Sequence, residues 1–313
     1  MMAVLDQALA LWGFDGAEVQ LIAARENHVY RVTHQGQTVA LRLHRPGYRT
    51  AAELHSELLW MAALAEGGLQ VPAPLPARDG ALLHQVEGQG VDVLSWLDGV
   101  PIGATEVPLS CDDRSGLFHR IGQTMAELHQ ISDQWQPPSP FTRCQWDTEG
   151  LVGEAPVWDR FWDNPTLAPK DRGLMLFVKE SLSDMLRREE ASLDYGLIHA
   201  DFVRENLLQR ADGNLQVIDF DDSGYGFRLF DLATALIQNL HEPDYEDLRA
   251  ALLEGYLSVR WIDVTWLDLF ILLRSASYLG WIIPRMAEPG AEARNARYLT
   301  RTRRLAQRWL AGV

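Results

Sequence analysis

The spacing of apolar residues changes once along this 313-residue chain, close to residue 97. Before that point, short apolar runs predict strands at 17–24, 28–34, 37–43, 81–86 and 91–96. Helical spacing predicts helices at 3–12 and 50–66. After it, helical spacing dominates. We therefore expect an α+β protein with a small β-rich N-terminal lobe, 1–97, and a large, mostly helical C-terminal lobe, 98–313.

The second part of the chain combines long helices with one short hairpin. Helical spacing predicts helices around 117–128 and 174–185, and then at 229–240, 244–260, 264–284 and 291–312. A strand at 197–198 precedes the hairpin, whose arms are predicted at 206–209 and 215–218 around the turn Asp212-Gly213-Asn214. The Pro-, Trp- and Asp-rich stretch 134–169 favours irregular structure or short helices.

Charge and cysteine content narrow the functional classes. Lys and Arg number 28 against 43 Asp and Glu, so the net charge is −15 at pH 7. A chain this acidic is a poor general binder of nucleic acid or of anionic membranes, because both select basic faces. The two cysteines form no CxxC pair and no signal-peptide pattern is present, which favours a reduced, cytoplasmic protein. The apolar window 264–283 contains Asp268 and Arg274, which favours a buried helix over a membrane span.

Most of the chemical information lies in the segment 197–226. It reads LIHADFVRENLLQRADGNLQVIDFDDSGYG and holds the spacing HxDxxxxN, a hairpin, and an Asp that closes an apolar strand. Phosphoryl transfer from a nucleotide needs a carboxylate that orients the acceptor hydroxyl and oxygen ligands for Mg²⁺ on the phosphates. Asp201 suits the first role. Asn206 and Asp219 suit the second, because the two ends of a short hairpin lie close together.

Two further polar residues are expected to support this segment. We interpret His199 as a brace that hydrogen-bonds the loop, rather than as a base. Asp231, which opens the next helical run, is interpreted as an N-cap or a structural anchor. The alternative for the whole segment is a turn-rich loop with incidental acids, and four polar residues in register between apolar runs argue against it.

Several stretches of the chain resemble the aminoglycoside phosphotransferase and choline kinase-like family. They are HADFVRENLL, VIDFDDSGYGFRLFDLATAL, ENHVYRV at 26–32, VALRLHRPG at 39–47 and DVLSWLDG at 92–99. The resemblance covers most of the chain. The last three of these stretches are similar to features of the N-terminal lobe in the family's homoserine kinase-like and stress-response-kinase-like branches. The resemblance implies a bilobal protein-kinase-like fold, ATP and Mg²⁺ as cofactors, Asp201 as the catalytic residue, and Asn206 and Asp219 as metal ligands.

The resemblance also implies a phosphate-binding residue and its acidic partner in the N-terminal lobe. The family's phosphate-binding lysine falls on Arg42, which keeps the charge but has a bulkier, forked head group. The acid that pairs with it best matches Glu57, with Glu53 one turn earlier as the alternative. An ordinary solvated helix charge is the other interpretation of Glu57.

Two more nucleotide contacts follow from the same resemblance. There is no GxGxxG, so Asn27 and His28 in ENHVY would cover the phosphates with backbone N–H groups. A plain hairpin turn is the alternative at that position. The hinge, whose backbone binds adenine in the family, corresponds to Ser95–Leu97.

The acceptor is expected to be a small molecule with a hydroxyl group: an amino alcohol, a homoserine-like amino acid or an aminoglycoside. Trp146, Trp158 and Trp162 could hold a cationic acceptor by cation–π contact, or could simply pack between helices. A bacterial stress-response-type protein Ser/Thr kinase is a rival, although SGYGFRLFD leaves little room for an activation segment. A non-catalytic nucleotide-binding scaffold is a second rival, and the oligomeric state stays open.

Overall fold

The computed structural model describes residues 2–24 and 27–312. In chain order its strands are β1 Glu18–Ala24, β2 His28–His34, β3 Gln37–Leu43, β4 Leu83–Val86, β5 Gln89–Ser95, β6 Val100–Pro101, β7 Cys144–Trp146, β8 Tyr195–Ile198, β9 Leu207–Gln209, β10 Leu215–Val217 and β11 Gly224–Phe227. Its helices are α1 Met2–Trp12, α2 Ala51–Glu66, α3 Arg114–Gln134, α4 Thr148–Val152, α5 Pro169–Glu189, α6 Arg228–Ile237, α7 Tyr245–Leu257, α8 Leu267–Trp281 and α9 Ala291–Leu310.

The described chain forms two compact units. The first unit combines the chain up to Ile102 with Gln130–Arg143 and Asn206–Asp221. The second unit contains Gly103–His129, Cys144–Glu205 and the chain from Asp222 onward. Strands dominate the first unit and helices the second, so the α+β fold class predicted from the pattern is confirmed. The lobe boundary between residues 97 and 98 stays a prediction.

The main sheet of the first unit has five antiparallel strands in the order β1-β2-β3-β5-β4. Alternating apolar side chains explain its buried face: Val39 and Leu41 on β3 are at most 1% exposed, and so are Val91 and Val93 on β5. This core continues into α1, whose Ala8 is fully buried. The sheet therefore holds β3 and β5 side by side in a fixed register, which matters for the charged residues that they carry.

Helix α2 begins with a capping box, one residue after the start of the predicted helix 50–66. Thr50 accepts a hydrogen bond from the backbone N–H of Glu53, and the Glu53 side chain accepts one from the backbone N–H of Thr50. The face with Leu54 and Leu58 is buried, as the apolar spacing indicates. Glu57 lies on this buried face and is 0% exposed, so it is not a solvated surface charge.

A second sheet of the first unit, in the order β10-β9-β6, contains the predicted hairpin. Strands β9 and β10 pair from Gln209↔Leu215 to Leu207↔Val217. The backbone N–H of Val217 donates to the carbonyl of Gln70, 2.9 Å away, which ties the hairpin to the rest of its unit. The end of β10 is thereby anchored.

The second unit contains a small sheet, β7-β11-β8, that the sequence analysis did not predict in full. Strand β11 was missed because its sequence, GYGF, lacks an apolar run. Glycine is needed there for close packing: a Cβ on Gly226 would lie 2.7 Å from the Cβ of Trp146. The helices α6 and α8 are almost entirely buried. Within residues 2–24 and 27–312, no helix is long and apolar enough to cross a membrane.

Candidate active site

The loop that carries Asp201 is held by a buried carboxylate from helix α6. Asp231 accepts hydrogen bonds from the backbone N–H groups of His199, at 2.9 Å, and Ala200, at 2.6 Å. Ala200 has φ 63°, a left-handed conformation that disfavours any residue with a Cβ. His199 in turn accepts a hydrogen bond from the backbone N–H of Asp201 at its Nδ1, 3.2 Å away. Both expected supporting roles are therefore seen, with Asp231 an anchor inside α6 rather than its N-cap.

Asp231 is itself part of a buried network. His129 Nε2 lies 3.1 Å from Asp231, and its Nδ1 lies 2.8 Å from the hydroxyl of Tyr256. Burial alone raises the pKa of Asp231, but the hydrogen bond from His129 and the backbone N–H donors outweigh it and lower that pKa. Burial lowers the pKa of His129 to about 4. His129 is therefore neutral at pH 7, with Nε2 as the donor to Asp231 and Nδ1 as the acceptor from Tyr256.

The carboxylate of Asp201 is partly exposed in an otherwise buried loop. His199, Ala200 and Phe202 are 0% exposed, whereas the side chain of Asp201 is 26% exposed. Arg274 of α8 donates from Nη2 to Asp201 Oδ1 across 2.9 Å. One oxygen of the carboxylate is thus oriented by a guanidinium, an arrangement that fixes the direction of the group.

The two predicted metal ligands are neighbours in the first unit. Asn206 directly precedes β9 and Asp219 follows β10, and the backbone N–H of Ile218 donates to the carbonyl of Asn206 across 2.9 Å. Asp219 is exposed and has φ 68°, an uncommon left-handed conformation outside glycine. An amide and a carboxylate are hard oxygen donors of the kind that Mg²⁺ prefers. No group of three or more His, Cys, Asp or Glu suited to a metal occurs in the described chain.

Arg42 and two carboxylates form a buried cluster in the first unit. Arg42 on β3 pairs in register with Asp92 on β5. Its Nε and Nη2 donate to the two oxygens of Asp92, at 2.8 and 2.9 Å, and its Nη1 donates to Glu57 at 2.8 Å. The pairing of Arg42 with Glu57, rather than with Glu53, agrees with the sequence-based choice.

Three members of this cluster were missed from the sequence: Asp92, His44 and Arg143. His44 Nε2 lies 2.6 Å from Asp92, and Arg143 donates to Glu57 at 3.1 Å. Burial alone raises the pKa of Asp92, but the charge of Arg42 outweighs it and lowers that pKa to about 2. One signal was available, because Asp92 interrupts the apolar run VDVL of β5 directly opposite Arg42.

Arg143 also links the cluster to the chain that follows Asp219. Its Nη2 donates to the carbonyl oxygens of Phe220 and Asp221, both at 2.9 Å. Arg49 donates to the same carbonyl of Asp221 at 3.0 Å. Helix α2, through Glu57, and the segment after Asp219 are thus held by one guanidinium.

The remaining predicted nucleotide contacts lie at or next to the ends of strands β2 and β5 in the first unit. Asn27 accepts a hydrogen bond from the backbone N–H of Arg45 across 3.3 Å, and His28 begins β2. Glu26, which opens the ENHVY motif, lies outside the described residues. At the expected hinge, Ser95 exchanges hydrogen bonds with Ala73 at 2.8 and 2.9 Å. No hydrogen bond in the described chain uses the backbone of Leu97.

The three tryptophans considered for an acceptor wall are core residues. Trp146 is 0% exposed, Trp158 8% and Trp162 6%. Protein cations already cover two of the rings: Arg274 lies 4.4 Å from the centroid of Trp158, and Lys179 lies 5.4 Å from that of Trp162. The packing alternative is therefore the one observed for all three.

The sequence is similar to those of several bacterial kinases. It is 28% identical to amicoumacin kinase of Bacillus subtilis (strain 168) over 277 residues, which cover 84% of this chain and 78% of that protein. It is 27% identical to homoserine kinase of Agrobacterium fabrum (strain C58) over 229 residues, 72% of this chain and 66% of that protein.

Solved structures with the same fold include further small-molecule kinases. The microcompartment-associated aminopropanol kinase superposes with a TM-score of 0.85 and 29% identity, covering 100% of this chain and 98% of that one. An amicoumacin kinase in complex with AMP-PNP and Ca²⁺ has a TM-score of 0.77 at 22% identity, covering 98% and 93% of the two chains. The phosphotransferase enzyme family is matched by residues 18–270. Since that match spans most of the chain and includes the loop of Asp201 and the hairpin of Asn206 and Asp219, the protein belongs to the phosphotransferase enzyme family.

Proposed function

We propose that this protein transfers the γ-phosphoryl group of ATP to a hydroxyl of a small molecule, with Mg²⁺ as the metal and Asp201 as the catalytic residue. The observation that carries the proposal is the loop 199–201. Its backbone is fixed by Asp231, its neighbours are buried, and the Asp201 carboxylate alone within it is partly exposed. A fixed, accessible carboxylate is what an acceptor hydroxyl needs for orientation.

Asp201 accepts the hydrogen bond of the acceptor hydroxyl and takes up its proton as the new O–P bond forms and ADP leaves. We assign Asn206 and Asp219 as ligands of Mg²⁺, because they supply an amide and a carboxylate oxygen from the adjacent ends of one hairpin. Mg²⁺ held by these two residues would neutralise part of the charge of the phosphates. The complex of an amicoumacin kinase with AMP-PNP and Ca²⁺ supports a nucleotide and a divalent cation in this fold.

The nucleotide phosphates are assigned to Arg42, supported by Glu57, and to the loop with Asn27 and His28. A guanidinium has more N–H groups than the three bonds that Arg42 makes to Asp92 and Glu57, so it can still donate to a phosphate. The adenine is assigned to the backbone at Ser95–Leu97, supported by the absence of hydrogen bonds on Leu97 within the described chain.

A small acceptor is favoured over a protein substrate. Only residues 220–227 separate Asp219 from the start of α6 at Arg228, and β11 occupies half of them. That segment is too short for the kind of activation segment with which protein kinases hold a peptide. The relatives named above are kinases of homoserine, aminopropanol and amicoumacin. We place the reaction in the cytoplasm, where ATP is available.

The test is ADP release from ATP and Mg²⁺ in the presence of a panel of hydroxylated small molecules, with a bacterial protein lysate as the alternative acceptor. Asp201→Asn should lower kcat about 10²–10⁴-fold with the active acceptor, because it removes the base but keeps the shape. Asp212→Asn makes the same chemical change in the exposed hairpin turn and should leave kcat unaltered.

Three results would contradict the proposal. Full activity in Asp201→Asn would remove Asp201 from the reaction. ATP binding without turnover of any small molecule, together with labelling of protein substrates, would favour the protein-kinase alternative. ATP binding with neither small-molecule turnover nor protein labelling would favour the non-catalytic nucleotide-binding scaffold.

A further inference from the structure

Unpaired hydrogen-bond donors gather beside Asp201 in the second unit. Arg274 is 0% exposed, and its Nη2 donates to Asp201 at 2.9 Å and to the hydroxyl of Tyr278 at 3.2 Å. Its Nε and Nη1 are buried, and no described residue accepts a hydrogen bond from them. The indole Nε1 of Trp158, whose ring stacks against the same guanidinium, is likewise buried without a described acceptor.

A second guanidinium lies on the same aromatic cluster. Arg301 of α9 lies 5.1 Å from the ring centroid of Tyr278 and 5.4 Å from that of Tyr298, and these two rings stack 5.0 Å apart. Its Nε donates to Ser275 Oγ at 3.2 Å, whereas its Nη2 is buried and has no acceptor in the described chain. Arg274 lies 4.6 Å from the centroid of the same Tyr278 ring.

The charges in this cluster do not balance. Arg274 pairs with Asp201, and on α9 Arg294 pairs with Glu288 and Arg297 with Glu106. Arg301 has no carboxylate within ion-pair distance among the described residues. Burial lowers the pKa of Arg301 and the neighbouring Arg274 lowers it further, which outweighs the opposite effects of Tyr278, Tyr298 and Glu106. Arg301 is therefore a positive charge without a paired carboxylate among the described residues, in a protein whose net charge is −15.

All the unsatisfied polar atoms in this cluster are donors, so their missing partner is a hydrogen-bond acceptor. Buried N–H donors without an acceptor are costly, and an anion supplies both the missing acceptor and a negative charge for Arg301. A single uncompensated charge matches a carboxylate, which carries one negative charge, better than a phosphate, which carries nearly two. The unsatisfied atoms of this cluster are N–H donors, which an ammonium group cannot satisfy.

We propose that the acceptor carries a carboxylate, which binds to Arg274 and Arg301 while its hydroxyl faces Asp201. This inference rests on the proposed function of Asp201. Because Arg274 contacts Asp201 directly, the hydroxyl and the carboxylate of the acceptor are only a few bonds apart. The substrate class is therefore a short hydroxy acid or hydroxy amino acid, and a simple amino alcohol is excluded.

Three probes separate these features. Homoserine carries a hydroxyl, an ammonium and a carboxylate; 3-aminopropan-1-ol is the same molecule without the carboxylate; and 4-hydroxybutanoate is the same molecule without the ammonium. Binding of each is measured by calorimetric titration without nucleotide, and turnover by ADP release with ATP and Mg²⁺. Both carboxylates should bind, and kcat/KM for homoserine should exceed that for 3-aminopropan-1-ol about 10²-fold or more.

Variants of α9 test the assignment of the carboxylate site. Arg301→Gln should raise Kd and KM for homoserine and for 4-hydroxybutanoate at least about 10-fold with little change in kcat, because Arg301 does not contact Asp201. Arg301→Lys keeps the charge and should recover part of the loss. Arg304→Gln removes the same charge from an exposed position on the same helix and should change neither value.

The outcomes distinguish this inference from the proposed function. Carboxylate binding that is lost in Arg301→Gln, without ADP release from any probe, would support the site and contradict the phosphotransfer. Equal or tighter binding of 3-aminopropan-1-ol would overturn the inference, even if that alcohol is phosphorylated. Carboxylate binding that is unchanged in Arg301→Gln, with a folded variant by circular dichroism, would also overturn it.

Discussion

Replacing Asp231 by asparagine tests whether one buried carboxylate holds the catalytic loop. The change keeps the shape of the side chain and replaces one oxygen by an NH₂ group. Asp231 accepts from the backbone N–H groups of His199 and Ala200, one on each oxygen, and from His129. In either orientation of the new side-chain amide, one buried backbone N–H therefore faces another donor. We expect Asp231→Asn to destabilise the fold and slow the reaction.

The magnitude follows from the contacts. A hydrogen bond to a charged group contributes about 1.5–3 kcal/mol, and a buried N–H left without an acceptor costs about 1–3 kcal/mol. Loss of one such bond and weakening of the others corresponds to about 2–4 kcal/mol of unfolding free energy. Ala200, held at φ 63°, is then free to leave its left-handed conformation, and Asp201 moves with it. A displacement of about 1 Å lowers kcat about 10²-fold.

The assay is urea unfolding together with steady-state ADP release. The urea midpoint of Asp231→Asn should fall without a change in the m-value. Its kcat should fall about 10²-fold. Asp212→Asn serves as the control, since Asp212 lies in the exposed hairpin turn. If Asp231→Asn unfolded at the same midpoint as the parent and kept its kcat, the carboxylate would not be what holds the loop.

Three further predictions concern pH, the metal and helix packing. His129 has a pKa of about 4 in the folded protein and about 6.5 when unfolded, so the free energy of unfolding falls as pH drops between these values, by on the order of 3 kcal/mol in total. His129→Gln should make the free energy of unfolding less dependent on pH in urea titrations between pH 7 and 4.5. Asp219→Ala should weaken ATP binding measured by calorimetry only when Mg²⁺ is present; equal loss without Mg²⁺ would contradict its role as a ligand. Gly122→Ala should lower the melting temperature by several degrees, because the new Cβ would press against the carbonyl oxygen of Leu252 on α7, whereas Gly173→Ala on α5, where nothing lies within 4 Å, should not.

Features encoded by neighbouring residues were predictable from the sequence. Strand alternation, the Thr50–Glu53 capping box and the turn Asp212-Gly213-Asn214 each depend on a few consecutive positions, and the corresponding elements occur within a few residues of where they were predicted. The family and the α+β kinase-like fold are confirmed for the same reason, since the HxDxxxxN loop and the hairpin after it form one short motif. The roles of Asp201, Asn206 and Asp219 stay predictions.

Pairings between distant residues were decided only by the tertiary structure. Asp92 meets Arg42 because β5 pairs with β3 in one register, and a shift by a single residue would turn these side chains to opposite faces. Asp231 reaches the backbone of residue 199 only because α6 packs beside the loop. Arg274 makes the cation–π contact with Trp158 that the sequence analysis had suggested for a cationic acceptor. Periodicity predicts which faces of helices and strands are buried, but packing decides which partner a charged side chain finds. Among the described residues, packing leaves Arg301 without a paired carboxylate.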